Sequence, residues 1–161
     1  MMKAGTIIGA AVGLVLLATV AAVALHNQRQ LMVGLPPRFV CATTDDAYVA
    51  AEKYRHEHGG WIASVQGTGS MAPYIPAARK GENPTTLVAY VVITKDYDSI
   101  AVGALVLYTR DDFDLTIIHQ AAELTSTGWV MTGLHNRSYE SNKRVTRSNY
   151  VGTVTATFTL E

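Results

Sequence analysis

A serine set in Gly69-Ser70-Met71-Ala72-Pro73 and a histidine at position 119 are the residues of this chain best suited to acyl transfer. A serine hydroxyl attacks a carbonyl only when a neighbour takes its proton. A neutral imidazole can do that near pH 7 and return the proton to a leaving amine. Gly69 permits a tight turn before the serine and Pro73 stiffens the exit, so the stretch suits a side chain presented at a strand end. Taken alone, the five residues fit a structural turn as readily as a nucleophile.

Other chemistry is thinner. His56-Glu57-His58 places its histidines two apart, on different faces of a helix, so no metal pair is expected. Lys80, in a polar loop, and Lys95, beside Asp96, read as solvated surface rather than as a lysine base. Asp111-Asp112-Phe113-Asp114 reads as a hairpin turn before the His119 strand. The single Cys41 excludes an intrachain disulfide and any multi-cysteine zinc site. Thirteen basic residues balance thirteen acidic ones over 161 residues, so there is no basic field for nucleic acid. No metal or organic cofactor is called for.

The elements that must hold the serine and histidine are mostly strands. Trp61 to Gln66, Leu87 to Thr94, Ala101 to Thr109, Leu115 to Ala121, Trp129 to Thr132 and Tyr150 to Leu160 are short, apolar or alternating segments. They predict a compact mainly-β domain, barrel-like or of two packed sheets. One short helix is expected before them. Thr43-Thr44-Asp45-Asp46 supplies a cap and first-turn acids, Gly59-Gly60 a stop, and Ala47, Ala50, Ala51 and Tyr54 one apolar face.

Upstream, Ile7 to Leu25 runs about 19 residues without a charge, close to the ~20 that cross a bilayer as a helix. A secretory signal peptide ending near Ala22-Val23-Ala24 is the alternative, and the length favours an uncleaved anchor. Lys3 on one side and Arg29 and Arg38 on the other leave the orientation unset by charge. The expected organisation is an anchor over 1–28, a linker and short helix over 29–60, and a β domain over 61–161.

Three blocks in order resemble the signal peptidase I family of membrane-anchored serine proteases, in the clan that also holds self-cleaving repressors. Gly69-Ser70-Met71-Ala72-Pro73 is similar to the family's S-G-S-M-x-P box, and Val102 to Tyr108 (VGALVLY) to its V-G-D/E-I-V-V-F strand. Ile117-Ile118-His119-Gln120, Trp129 to Gly133, His135-Asn136 and Tyr150 to Val154 are similar to I-V-H-R-V, F-x-T-K-G-D-N-N and D-V-V-G-R-V of the archaeal and endoplasmic-reticulum branch. The resemblance implies Ser70 as nucleophile and His119 as base. It implies Thr68, with the Ser70 backbone N–H, as oxyanion donors, and Met71 and Pro73 as residues meeting substrate. It also implies a single-pass protein whose domain lies on the trans side of the membrane and cleaves a precursor protein at the bilayer surface.

The chain departs from the pattern in its acids. His135 stands where the family has its first aspartate, and Gln120 replaces the arginine after the histidine. The later acid falls near Glu140 or Ser141, and Glu140 is the choice for the third member because a carboxylate on the far imidazole nitrogen fixes the tautomer. Those departures keep two other readings open: a non-catalytic tethered domain that binds a partner, and a specialised protease for a pilin, mobile-element or phage product.

Overall fold

A computed structural model of the chain describes residues 34–110, 115–135 and 144–160. The chain divides into a unit over 1–33 and a compact unit over 34–161. The expected anchor at 7–25 therefore lies outside the described residues. Among the described residues no helix is long and apolar enough to cross a membrane.

The described unit is mainly β, with one helix. The strands are β1 (Arg38–Cys41), β2 (Trp61–Gln66), β3 (Leu87–Thr94), β4 (Leu105–Arg110), β5 (Leu115–Thr125), β6 (Gly128–Thr132) and β7 (Tyr150–Leu160), and α1 (Thr44–His58) follows β1. They form one hydrogen-bonded sheet in the order β2-β3-β7-β4-β5-β6, with β1 also on β7. Pairing is antiparallel except for β1 on β7, which is parallel. The alternative of two separate sheets is not what forms.

Most element bounds follow the sequence pattern, and three do not. β5 runs on to Thr125, four residues past its expected end, and the other two are at 101–104 and at β1. The segment at 101–104 turns instead of extending: Gly103 takes φ +94° and Ala104 N–H donates to the Ala101 carbonyl at 3.0 Å. β1 was not expected at all. It is held by partners distant in sequence, pairing Arg38 with Thr157 and Cys41 with Leu160, while Phe39 stacks on Phe158 at 5.0 Å.

α1 begins where its cap predicts, with Thr43 Oγ1 accepting from Asp46 N–H at 3.1 Å, and ends at Gly59 with φ +80°. Ala47 and Ala51 are fully buried against Val92, Ala156 and Phe158, with Ala50 and Tyr54 flanking them. Alanine at those positions lets the helix backbone approach the sheet closely, leaving no room for a longer side chain. A second core lies under β4, β5 and β6, where Val106, Tyr108, Ala121, Trp129, Met131, Val145 and Tyr150 pack together.

Replacing Ala51 with leucine should overpack the helix–sheet seam and cost about 1–3 kcal/mol. Thermal unfolding of the variant should show Tm lowered by roughly 4 °C per kcal/mol, and an unchanged Tm would contradict the packing described.

Candidate functional site

The serine turn is shaped by two glycines before it and three buried side chains after it. Gly67 is pinned on both sides, its N–H donating to the Thr86 carbonyl at 3.0 Å and its carbonyl accepting from Ala78 N–H at 2.9 Å. A Cβ at Gly67 would lie 2.4 Å from the Ala78 nitrogen, so only glycine lets the two strands of backbone approach this closely. Gly69 has φ +84°, a left-handed conformation that favours glycine. The chain then folds back, with Ala72 N–H donating to the Gly69 carbonyl and Ile75 N–H to the Met71 carbonyl, each at 3.1 Å.

Met71, Tyr74 and Ile75 are buried, and between them and the glycines Ser70 is left half-buried. The turn is tied to the strand region across from it. Arg38 donates from Nη1 to the Pro73 carbonyl at 3.2 Å and from Nε to Thr159 Oγ1 at 3.2 Å. Tyr74 donates its hydroxyl to the Pro36 carbonyl. Burial pushes the Tyr74 phenol up from its ordinary range.

Ser70 lies in a small, shallow cleft lined by Val65, Gln66, Thr68, Gly69, Met71, Ile75, Pro76 and Ile118. The structure thus brings together Thr68, Ser70 and Met71, three of the residues expected at the site. Pro73 is exposed and lies outside the lining. Glu140 lies outside the described residues, as do Asn136 and the acidic stretch at 111–114.

His119 is buried on β5 and its Nδ1 stands 3.1 Å from the Tyr108 hydroxyl. Cross-strand register explains that pair: Val106 is directly opposite His119, and Tyr108 is two residues along the same face. Adjacent residues of a strand face opposite ways. Ile118 takes the side that lines the serine cleft, and His119 the side shared with Val106 and Tyr108.

Another histidine meets the serine directly. His135 N–H donates to the Ser70 carbonyl at 3.0 Å, and His135 is exposed. The sequence marked position 135 only as a departure from a family motif. Nothing local foretold its contact, because the residues are joined by the fold alone. Among the described residues no group of three His, Cys, Asp or Glu side chains is placed to hold a metal ion.

No family model, curated protein or solved structure matches the chain.

Gly67→Ala should break the pinning of the serine turn. Hydrogen exchange at the Ala78 amide should accelerate sharply while amides in β3 and β7 keep their protection. Unaltered exchange at Ala78 would contradict the close approach described.

Proposed function

We propose that the chain is a membrane-anchored serine endopeptidase of the signal peptidase type, with the described sheet and helix as its catalytic β domain. It would cut an extended precursor segment with small residues beside the scissile bond, at the bilayer surface, without metal or organic cofactor. The observation that carries the reading is the turn itself. Two glycines with no room or freedom for a side chain set Ser70 at the edge of an apolar cleft, with Thr68 in the same lining.

In this reading Ser70 Oγ attacks the carbonyl carbon as its proton passes to a histidine. The carbonyl electron pair moves onto oxygen, where the Ser70 N–H and the Thr68 hydroxyl receive it. Collapse expels the amine, which takes the proton from the imidazolium, and water then releases the acyl group. Removing one oxyanion donor of this kind costs about 10²–10³ in rate. The choice between general and specialised processing rests on substrate and not on this geometry.

A second reading, a non-catalytic domain that binds a partner, is favoured by one specific observation. Ile118 and not His119 lines the serine cleft, and the His119 ring is bonded to Tyr108.

Cleavage of a preprotein in detergent or proteoliposomes separates the readings. The serine protease predicts that Ser70→Ala abolishes cleavage and that Thr68→Val lowers kcat by about 10²-fold or more, with little change in KM. Equal cleavage by the parent chain and Ser70→Ala would sink it.

A further inference from the structure

We propose that Pro36 to Arg38 is a strap that holds the serine turn in place, with Arg38 as a positioning residue for Ser70. The inference rests on the protease reading above and adds to it residues that no motif marked. In the sequence Arg38 reads only as a charge beyond the apolar segment.

Three consecutive residues of the strap are each bonded. The Pro36 carbonyl accepts from the Tyr74 hydroxyl, and the Pro37 carbonyl accepts from Thr157 N–H at 3.0 Å. Arg38 donates from Nη1 to the Pro73 carbonyl at 3.2 Å. The first and last of these bonds reach the chain four and three residues after Ser70, and the middle one fixes the strap to β7. The strap is therefore bonded both to the central strand and to the turn.

The guanidinium of Arg38 is aimed by its other bond. Nε donates to Thr159 Oγ1 at 3.2 Å, and that hydroxyl donates in turn to the Phe39 carbonyl at 3.4 Å. Thr159 is fully buried on β7. A guanidinium is planar and rigid, so anchoring Nε to a buried hydroxyl sets the direction of Nη1 toward Pro73. Tyr74, 5% exposed, supplies the second bond from the side of the turn.

Ser70 thus stands between two fixed limbs. Before it, Gly67 is bonded to Thr86 and Ala78. After it, the bonds from Ala72 to Gly69 and from Ile75 to Met71 close the turn on itself. His135 N–H holds the Ser70 carbonyl, and the strap holds the limb that follows. A misplacement of about 1 Å at a reacting group can cost about 10²-fold in rate, so a limb free to shift would lower the reactivity of Ser70.

The test uses the full chain in detergent as the parent, Arg38→Gln, Arg38→Lys and Tyr74→Phe. Hydrogen exchange reads the turn at the Ala72 and Ile75 amides. An alkyl fluorophosphonate, which forms a P–O bond to an activated serine as fluoride leaves, reads Ser70 by mass spectrometry. Losing the charged donor or the phenol hydroxyl should speed exchange at Ala72 and Ile75 about tenfold while amides in β3 keep their protection. Labelling of Ser70 should slow about tenfold or more in Arg38→Gln and Tyr74→Phe. Arg38→Lys, which keeps a donor, should fall between Arg38→Gln and the parent.

Parent-like exchange at Ala72 and Ile75 in both Arg38→Gln and Tyr74→Phe would overturn the strap. So would an acceleration shared equally by β3, which marks a general loss of stability. Faster exchange at the turn with labelling at the parent rate would overturn the positioning of Ser70. A parent chain that does not label at Ser70 would remove the protease reading, and exchange at Ala72 and Ile75 would still decide whether the strap holds the turn.

Discussion

Strand β7 is the constraint on which the rest of this fold depends. Its eleven residues pair with β3 along one edge and, along the other, with β4 near Tyr150–Thr153 and with β1 near Thr157–Leu160. One strand therefore joins the β2–β3 side, which leads into the serine turn, to the β4–β5 side, which carries His119. The two faces of its C-terminal half do different work. Ala156 and Phe158 receive the helix, while Thr159 continues the row of Val65 and Ala89 that ends at the serine cleft. Arg38, bonded to both Thr159 and the Pro73 carbonyl, links that row to the turn.

On this frame the serine turn is set by backbone proximity more than by side-chain packing. Gly67 must lie against Ala78, and Gly69 must adopt a positive φ, before Met71 can bury and leave Ser70 at the cleft edge. On the proposed reading, a turn fixed this way holds the Ser70 backbone N–H before substrate arrives, the condition under which an oxyanion donor is most effective. The histidines are held by different means, His119 by a strand face and a tyrosine, His135 by a main-chain bond to the serine itself.

What was legible in the sequence was whatever depends on near neighbours. Helix α1, its threonine cap and its alanine face follow from spacing within fifteen residues, and β2, β3 and β7 begin and end where their apolar patterns do. The stretch at 101–104 misled because its apolar residues suit a strand while Gly103 takes the turn. β1 escaped because Arg38–Cys41 has no pattern of its own and exists only by pairing with residues at the far end of the chain. At the site, the glycine-flanked serine was visible, and Thr68, two residues before it, lines the same cleft. Motif resemblance pointed to His119 but not to its face, which the register of β5 on β4 sets by placing it opposite Val106. The bond from His135 to Ser70 joins positions with no local relation, so only the folded chain displays it.

A crystal structure of the chain covalently modified by a phosphonate most directly tests the claim that this turn presents a nucleophile. The account predicts density continuous from Ser70 Oγ to phosphorus, with a phosphonyl oxygen between the Ser70 N–H and the Thr68 hydroxyl. An unmodified Ser70 beside an adduct on another residue would contradict it.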